Sequence, residues 1–470
     1  MSRPRPLVHE SVLDAIGHTP LIRLTRVTAG LTVPVYVKAE FLGVGASVKD
    51  RAARHMVAVA EQDGSLRPGG VIVESTSGNT GIGLAIVSAQ RGYQLIVVVP
   101  DKTSPDKIAV LRAHGAQVVV TRSGVPRDHP EHVDQMARRI ADQTPGGWLA
   151  CQYDNPANPR AHRDSTGPEI WEQTGGQVTH LVAGAGTGGT ITGTGEYLKQ
   201  VSGGRVQVIG ADPATSVYGG GDGSPYYIEA VGHWHHPDSP ADTWPQSFHP
   251  DVVDRFEQVT DRESISMIHR LAREEGLLLG GSAGLAIAAA LRAATTLTAA
   301  DLVVVIAPDS GRGYLAKYFS EPWLLANGFA DAAPGAHAIA DLVTDAAPVL
   351  VLTPSATVAE ARRMFASRGG AVMPDIALVA LPRPAMHSPR ARGDVVASLR
   401  RDALEGQPDG QPISGLTDPP PPVVGAGECP ADALARIPAG EPWAAVLVDG
   451  QVTALIRRVR LAGELPTKPM

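Results

Sequence analysis

Short apolar runs that alternate with helical patterns constrain this chain more than any other feature. The runs are rich in Val and Ile and lie at 33–40, 71–75, 95–100, 116–121, 180–186, 206–213 and 302–310. Near-continuous apolar runs indicate strands that are covered on both faces, which is typical of parallel sheets. Helical patterns lie between several of them, for example at 81–92 and 107–115. The sequence therefore predicts a layered α/β fold with parallel sheets over roughly the first 325 residues.

The pattern changes after Phe329, so we predict a first domain at 1–330, a linker at 331–340 and a separate domain at 341–470. This tail contains two similar units, separated by a Pro-rich stretch. The first unit has a strand and a helix within 349–369, with Ser355 or Thr357 as the N-cap. The second unit has a helix at 430–437 and a hairpin at 443–456 with an Asp-Gly turn.

Composition limits the classes of function. The chain has 470 residues and a net charge of −7, so it lacks the basic footprint expected for binding nucleic acid or an anionic membrane. No run of about 18 apolar residues predicts a membrane span, and the N-terminus has no apolar signal region. Only two cysteines occur, Cys151 and Cys429, which favours a reducing, cytoplasmic setting.

Lys49 is the first candidate for chemistry. It lies in the string GVGASVKDRAA, after a predicted strand and at the start of a predicted helix. The positive end of the helix dipole disfavours the ammonium form of a lysine there. A partly buried lysine also loses its proton readily, as a covalent carbonyl-binding lysine requires. A solvated surface lysine is the alternative that this spacing leaves open.

A polar turn at 74–83, ESTSGNTGIG, joins a buried strand to an apolar helix. Free backbone N–H groups and hydroxyls at a helix N-terminus form a natural site for a carboxylate or phosphate. The candidate residues are Thr76, Ser77, Asn79 and Thr80. A simple helix cap would need one such residue, whereas this turn has four.

A second glycine-rich turn, GAGTGGTITG at 184–193, also lies between a strand and a helix, where a phosphate can approach the backbone closely. Gly184, Gly186 and Gly189 also match G-x-G-x-x-G, and Asp212 follows the next strand. That pattern is the usual dinucleotide-binding fingerprint, so an NAD(P) dehydrogenase is a rival interpretation. Ser310, in APDSGRGY at the end of the last strand, is a candidate ligand-facing residue or an ordinary turn serine.

Together these strings resemble the fold type II pyridoxal-phosphate (PLP) enzymes, in particular the cysteine synthase and cystathionine β-synthase family. The resemblance runs from residue 9 to about Phe329 and rests on SVKDRA, TSGNTG, GTGGT, GGSAG and PDS in the family's order. It implies two twisted-sheet sub-domains, the smaller at about 45–150, with PLP as the cofactor. It also implies a homodimer.

The resemblance implies a role for each matched residue. Lys49 would hold PLP as a Schiff base and act as the catalytic base, and Asn79 would bond the cofactor's phenolic oxygen. Ser310 would bond the pyridine nitrogen. The phosphate would be bound by Gly186, Thr187, Gly188, Gly189 and Thr190. The substrate carboxylate would be bound by Thr76, Ser77, Thr80 and Gln152.

The implied reaction is β-replacement on L-serine or an O-activated serine by a thiol. The string as a whole is more similar to cystathionine β-synthase, which makes cystathionine from serine and homocysteine, than to cysteine synthase, which uses O-acetylserine and sulfide. A β-substituted alanine synthase of specialised metabolism is a third alternative. A ligand-sensing protein without activity is an alternative outside the enzymes.

The tail resembles a degenerate tandem pair of cystathionine-β-synthase-type (Bateman) modules, whose usual ligands are adenosyl compounds, and a purely structural role is an equal alternative. The haem-binding extension of animal relatives is missing, so we expect no haem. The segment 232–255 is longer and richer in His and Trp than the family's. Its histidines are His233, His235, His236 and His249, and we expect them to form a polar loop and bind no metal.

Overall fold

The computed structural model describes residues 8–76, 78–238, 244–343, 349–366, 374–383 and 390–463. The chain divides into two compact units. The first holds Met1–Gly223 and Ile228–Ala316, and the second holds Ser224–Tyr227 and Lys317–Met470. Residues 317–330, which we predicted as the end of the first domain, therefore group with the second unit.

Ten strands form two sheets in the residues of the first unit that the structure describes. They are β1 (Leu21–Arg23), β2 (Val35–Ala39), β3 (Val71–Ser75), β4 (Gln94–Pro100), β5 (Gln117–Thr121), β6 (Gly147–Leu149), β7 (His180–Gly184), β8 (Gln207–Pro213), β9 (Arg255–Val259) and β10 (Val303–Ala307). The larger sheet has the order β1-β2-β10-β7-β8-β9, and the smaller sheet has the order β5-β4-β3-β6. Among the described strands of these two sheets, only β1 pairs antiparallel, with Leu21 opposite Lys38. The predicted parallel sheets are thus confirmed for every apolar run.

In the described part of the first unit, nine α-helices accompany these strands. They are α1 (Lys49–Asp63), α2 (Asn79–Arg91), α3 (Pro105–Ala113), α4 (Val133–Gln143), α5 (Ala157–Ala161), α6 (Gly167–Gln173), α7 (Gly189–Ser202), α8 (Asp261–Arg270) and α9 (Gly281–Ala294). Two helical turns in the described ranges are π-helical, His162–Thr166, which connects α5 to α6, and Leu271–Glu275, which follows α8. No helix in the described parts of the chain is long and apolar enough to cross a membrane.

Apolar packing joins these helices to the sheets. Strands such as β3 and β10 are buried along their whole length, as the Val-rich runs predicted. α7 lies directly against α5, because a Cβ added at Gly193 would fall 1.9 Å from the carbonyl oxygen of Pro159. This contact brings the start of α7 close to the polar residues that follow β6.

The second unit is built from two arrangements of the same kind. Its strands are β11 (Val351–Leu352), β12 (Ile376–Ala380), β13 (Arg390–Ala391), β14 (Val395–Arg400), β15 (Val423–Gly425), β16 (Trp443–Val448) and β17 (Gln451–Arg457). Its helices are α10 (Glu321–Ala326), α11 (Ile339–Leu342), α12 (Val358–Ala366), α13 (Pro430–Arg436) and α14 (Arg458–Leu461). The sheets have the orders β11-β12-β14 and β13-β17-β16-β15.

In each half, a strand and a helix lead to a parallel strand, which then pairs antiparallel with a later strand, β14 in the first half and β17 in the second. The apolar faces of both sheets share one core, in which Leu378 and Val395 of one half cluster with Trp443 and Leu455 of the other. The predicted Asp-Gly turn is confirmed, because Asp449 and its glycine neighbour both have positive φ between paired strands. At the start of α12, Thr357 and Glu360 form a reciprocal cap, which decides between the two predicted N-cap residues.

Candidate active site around Lys49

Lys49 is the first residue of α1, and its half-buried side chain lines a cavity of the first unit. The segment before it is held to the end of β10, because Val48 donates its N–H to the carbonyl of Pro308 at 2.8 Å. Burial lowers the pKa of Lys49 to about 8, and the charge of Lys107 adds to this while that of Asp309 opposes it. The amine is thus easier to deprotonate than a surface lysine.

The glycine-rich turn before α7 lines the same cavity. Its lining includes Gly186, Thr187, Gly188 and Thr190 beside Lys49. The turn needs glycine at Gly188, which has a φ of +83° and lies so close to Phe248 that an added Cβ would be 2.2 Å from the Phe248 Cβ. α7 begins at the next residue, so N–H groups of its first turn, which have no partner within the helix, lie beside the cavity.

Two buried side chains form hydrogen bonds with the threonines of this turn. Asn158 on α5 donates from Nδ2 to the hydroxyl of Thr187 at 3.0 Å. His162, which is fully buried, lies with Nε2 3.2 Å from the hydroxyl of Thr190 and Nδ1 2.9 Å from that of Thr166. Burial lowers the pKa of His162 well below its usual range, so the ring stays neutral. Sequence reasoning missed both supporting side chains, since nothing local marks them.

The polar turn after β3 forms a second buried cluster. Thr80 donates its hydroxyl proton to Oε1 of Gln152 at 2.5 Å, and Nε2 of Gln152 donates to the carbonyl of Ser75 at 3.1 Å. The hydroxyl of Thr76 accepts the N–H of Gly78 at 3.1 Å. The structure therefore brings Thr76, Thr80 and Gln152 together, while Ser77 lies outside the described residues.

Three predicted cofactor residues lie outside the cavity lining. Asn79, at the start of α2, donates from Nδ2 to Oδ2 of Asp309 at 2.7 Å. Gly189 lies against Asn158. Ser310 caps the short helix Gly311–Tyr314 and accepts the N–H of Arg312 at 3.3 Å.

Ser282 is a cavity residue to which the sequence analysis gave no role. Its hydroxyl is buried, lines the cavity beside Lys49, and has no hydrogen-bond partner within the described ranges. A buried hydroxyl without a partner is costly, so this position is suited to a polar ligand atom. The string GGSAG at the start of α9 was the available signal.

The buried position of the Asp212 carboxyl argues against a dinucleotide site. It is fully buried at the end of β8, and its Oδ2 accepts the N–H of Gly219 at 2.7 Å. Burial raises the pKa of Asp212 to about 7. A carboxyl that is turned inward in this way is not available to the hydroxyl groups of a ribose.

The histidine-rich segment lies behind the glycine-rich turn. His233 stacks on Tyr218 with ring centroids 5.1 Å apart, and Phe248 packs on the same ring. The hydroxyl of Tyr218 donates to the carbonyl of Gly186 at 2.9 Å. His249 lies elsewhere, 2.6 Å from Glu196. Within the part of the chain that is described, no three His, Cys, Asp or Glu residues cluster as metal ligands would.

Comparison with known proteins now defines the class. The model of the family described as "Pyridoxal-phosphate dependent enzyme" matches residues 12–309, which include the whole cavity. The chain belongs to this family, and its cofactor is pyridoxal phosphate. The residues present fit that group, because an amine of lowered pKa, a glycine-lined helix N-terminus and the unpartnered hydroxyl of Ser282 share one cavity. The alternatives of a dehydrogenase and of a ligand sensor without activity are thereby set aside.

Within the family, named relatives are of two kinds. A "Cystathionine beta-synthase" from Apis mellifera is 42% identical over 325 residues, which make up 68% of this chain and 63% of that protein. "Cysteine synthase 1" from Emericella nidulans is 42% identical over 333 residues, or 68% of this chain and 87% of that protein. The chain spans less than two thirds of the length of the first of these relatives.

A solved structure supports the same fold. The O-acetylserine dependent cystathionine beta-synthase from Helicobacter pylori has a TM-score of 0.61 and 34% identity, and the match covers 66% of this chain and 99% of that chain. The α/β fold type II architecture of the first unit is therefore confirmed.

Proposed function

We propose that this protein catalyses β-replacement, in which a thiol takes the place of the β-substituent of L-serine or an O-activated serine. The observation that carries the proposal is the lowered pKa of the Lys49 amine in a cavity that also contains a phosphate-type helix N-terminus. When bound, PLP supplies an electron sink that stabilises negative charge at the substrate α-carbon.

The residues of the chain have separate roles in the proposed reaction. Lys49 Nζ binds the cofactor and, once released, takes the α-proton and later returns it. The phosphate is bound by Gly186, Thr187, Gly188, Gly189 and Thr190, and the buried hydroxyl and amide groups of Thr76, Thr80 and Gln152 hold the substrate carboxylate, with Ser77 in the same turn. Asn79 and Ser310 contact the cofactor ring.

The leading reaction is the formation of cystathionine from serine and homocysteine. Relatives named cystathionine beta-synthase support it, since 42% and 41% identity extend over more than 320 residues in two of them. Cysteine synthesis from O-acetylserine and sulfide is the second candidate, supported by a relative named cysteine synthase at 42% identity.

The first experiment tests the cofactor site. Purified full-length protein incubated with PLP is expected to turn yellow, and borohydride is expected to fix one pyridoxyl group on the peptide that contains Lys49. Lys102→Arg is a matched control at an exposed lysine and is expected to label like the wild type. A colourless protein, or a label spread over surface lysines, contradicts the proposal.

The second experiment identifies the substrates. The PLP-loaded protein is supplied with serine or O-acetylserine, each together with homocysteine or sulfide, and the product is identified by mass. Cystathionine from serine supports the leading reaction, whereas cysteine from O-acetylserine supports the second candidate. A Lys49→Ala variant is the control and is expected to give no product in any combination.

For the second unit we propose a degenerate tandem Bateman-type pair with a regulatory or oligomerising role. The repeated order of strands and helix in its two halves supports this. An adenosyl compound is the ligand class to test, by titration calorimetry. A homodimer is proposed from the resemblance, and a cytoplasmic setting from the two free cysteines, Cys151 and Cys429.

A further inference from the structure

A series of buried polar side chains, linked by hydrogen bonds, ends at Asn79. Nζ of Lys107 donates to the hydroxyl of Tyr314 at 2.7 Å and lies 3.4 Å from Oε2 of Glu229. The hydroxyl of Tyr314 donates to Oδ2 of Asp309 at 2.6 Å, and Nδ2 of Asn79 donates to the same oxygen at 2.7 Å. All five side chains are buried. We call these residues the buried polar chain.

Close packing fixes two of the three charged members, Asp309 and Lys107, in place. A Cβ added at Gly280 would be 2.0 Å from Oδ1 of Asp309, so the carboxylate occupies space that only glycine leaves free. A Cβ added at Gly78 would be 2.6 Å from Cδ of Lys107, so the lysine stem supports the turn just before Asn79. The Asp309 backbone is also paired with that of Ser47, two residues before Lys49.

The direction of each hydrogen bond follows from the groups involved. An ammonium has only donors, so the hydroxyl of Tyr314 accepts from Lys107 and must give its own proton to Asp309. An ionised carboxylate has only acceptors, so Asn79 must present its amide nitrogen to Asp309. The amide of Asn79 therefore has a single orientation, with a second N–H left for another acceptor.

The same two charges act on Lys49. Burial lowers the pKa of the Lys49 amine most, the charge of Asp309 opposes this lowering, and the charge of Lys107 adds to it. Burial lowers the pKa of His162 well below its usual range, and the charges of Arg51 and Lys49 lower it further. On its own helix, Asp50 directs its carboxyl to the N–H of Gly45 at 2.7 Å.

We propose that Asp309, oriented by Tyr314 and Lys107, is a positioning residue that fixes the amide of Asn79 and presents a buried negative charge to the Lys49 amine. The inference rests on the proposed function in one respect, namely that Asn79 and Lys49 are cofactor residues. The effect on the free Lys49 amine exists without any cofactor and is tested separately.

The first arm measures the Lys49 amine in full-length protein freed of PLP. The rate of reductive methylation of Lys49 by formaldehyde, followed by peptide mass spectrometry, is measured against pH. Asp309→Asn keeps the hydrogen-bonding shape and removes the charge, so the midpoint is expected to fall by about one pH unit. Lys107→Met removes the positive charge, so the midpoint is expected to rise by about half a unit. The exposed Lys102→Gln is the control, with an unchanged midpoint.

Opposite shifts distinguish this role from a structural one, because general loosening of the fold would move both midpoints toward that of a free lysine. Lys107→Gln replaces Lys107→Met if the latter fails to fold. Unchanged midpoints, or shifts in the same direction, overturn the inference.

The second arm measures PLP itself. Asp309→Ala removes both the charge and the acceptor for Asn79, so its PLP dissociation constant is expected to be about tenfold higher than that of Asp309→Asn. Equal constants for the two variants overturn the positioning of Asn79. If no variant, including the wild type, takes up PLP while the midpoints shift as expected, the proposed function fails and the charge effect on Lys49 stands.

Discussion

Replacing Glu169 by Gln tests whether a buried ionic cluster stabilises the first unit. The carboxylate of Glu169 accepts hydrogen bonds from Lys38 Nζ at 2.7 Å, from Arg51 at 2.7 and 2.8 Å, and from the N–H of His18 at 2.8 Å. Lys38 and Arg51 are buried, and the only other carboxylate bonded to Arg51 in the described structure is Glu40. Glu169→Gln therefore leaves two buried cations with one remaining counter-charge.

The expected loss in the free energy of unfolding follows from the pKa of Glu169. Burial alone raises the pKa of Glu169, but the hydrogen bonds and charges of Arg51 and Lys38 outweigh burial and lower it from 4.5 to about 2. A gap of about 2.5 units corresponds to about 3 kcal/mol at pH 7, so we expect a loss of about 2–3 kcal/mol. Because the folded pKa is the lower one, this stabilisation is complete above pH 4.5 and is lost as the pH falls toward 2.

The assay is hydrogen exchange of peptides from β2 in increasing urea, at pH 7 and at pH 4, which reports on the first unit alone. Glu274→Gln is the control, since the partly exposed Glu274 forms its one ion pair within the described ranges with Arg270 at the surface, and little change is expected. A double variant with Lys38→Met is expected to regain part of the lost stability, because it removes one of the two buried positive charges. A difference below about 0.5 kcal/mol at pH 7, or one that does not shrink at pH 4, would refute the reasoning.

Three further changes have defined outcomes. Ala46→Gly is expected to stabilise the first unit by about 0.5–1 kcal/mol, because Ala46 has a φ of 58°; the melting temperature checks this. Gly193→Ala is expected to weaken PLP binding at least tenfold, because its methyl group would overlap the Pro159 carbonyl and displace α7; equilibrium titration with PLP checks this. Asp394→Asn is expected to destabilise the second unit by about 3 kcal/mol, because it removes the carboxylate that forms an ion pair with the buried Arg383; hydrogen exchange in β14 checks this.

The strands and main helices were predictable because burial on both faces leaves a continuous apolar signature. The order of the strands was not. β10, which comes last in the first unit, lies between β2 and β7, and no local pattern specifies which early strands a late one separates. The repeated units of the tail were visible, but their shared core was not, because it depends on how two sheet faces meet.

For the candidate site, the glycine-rich turn and Lys49 were predictable because their residue types are unusual at those positions. His162, Lys107 and Asp309 were not. Each owes its role to a partner distant in sequence, as with the 230 residues between Asn79 and Asp309. Ala46 is a different case, since its positive φ is a conformation that alanine normally avoids.

The central position of β10 has a consequence for synthesis. On the ribosome, β2 and β7 emerge long before the strand that must separate them, so the larger sheet has no complete centre until residue 307 has been made. Val48, the neighbour of Lys49, donates its N–H to the carbonyl of Pro308, which directly follows this strand. A nascent chain that stalls before this point lacks the strand that pairs with the facing edges of β2 and β7, so we expect it to take up PLP only after the last strand has been made.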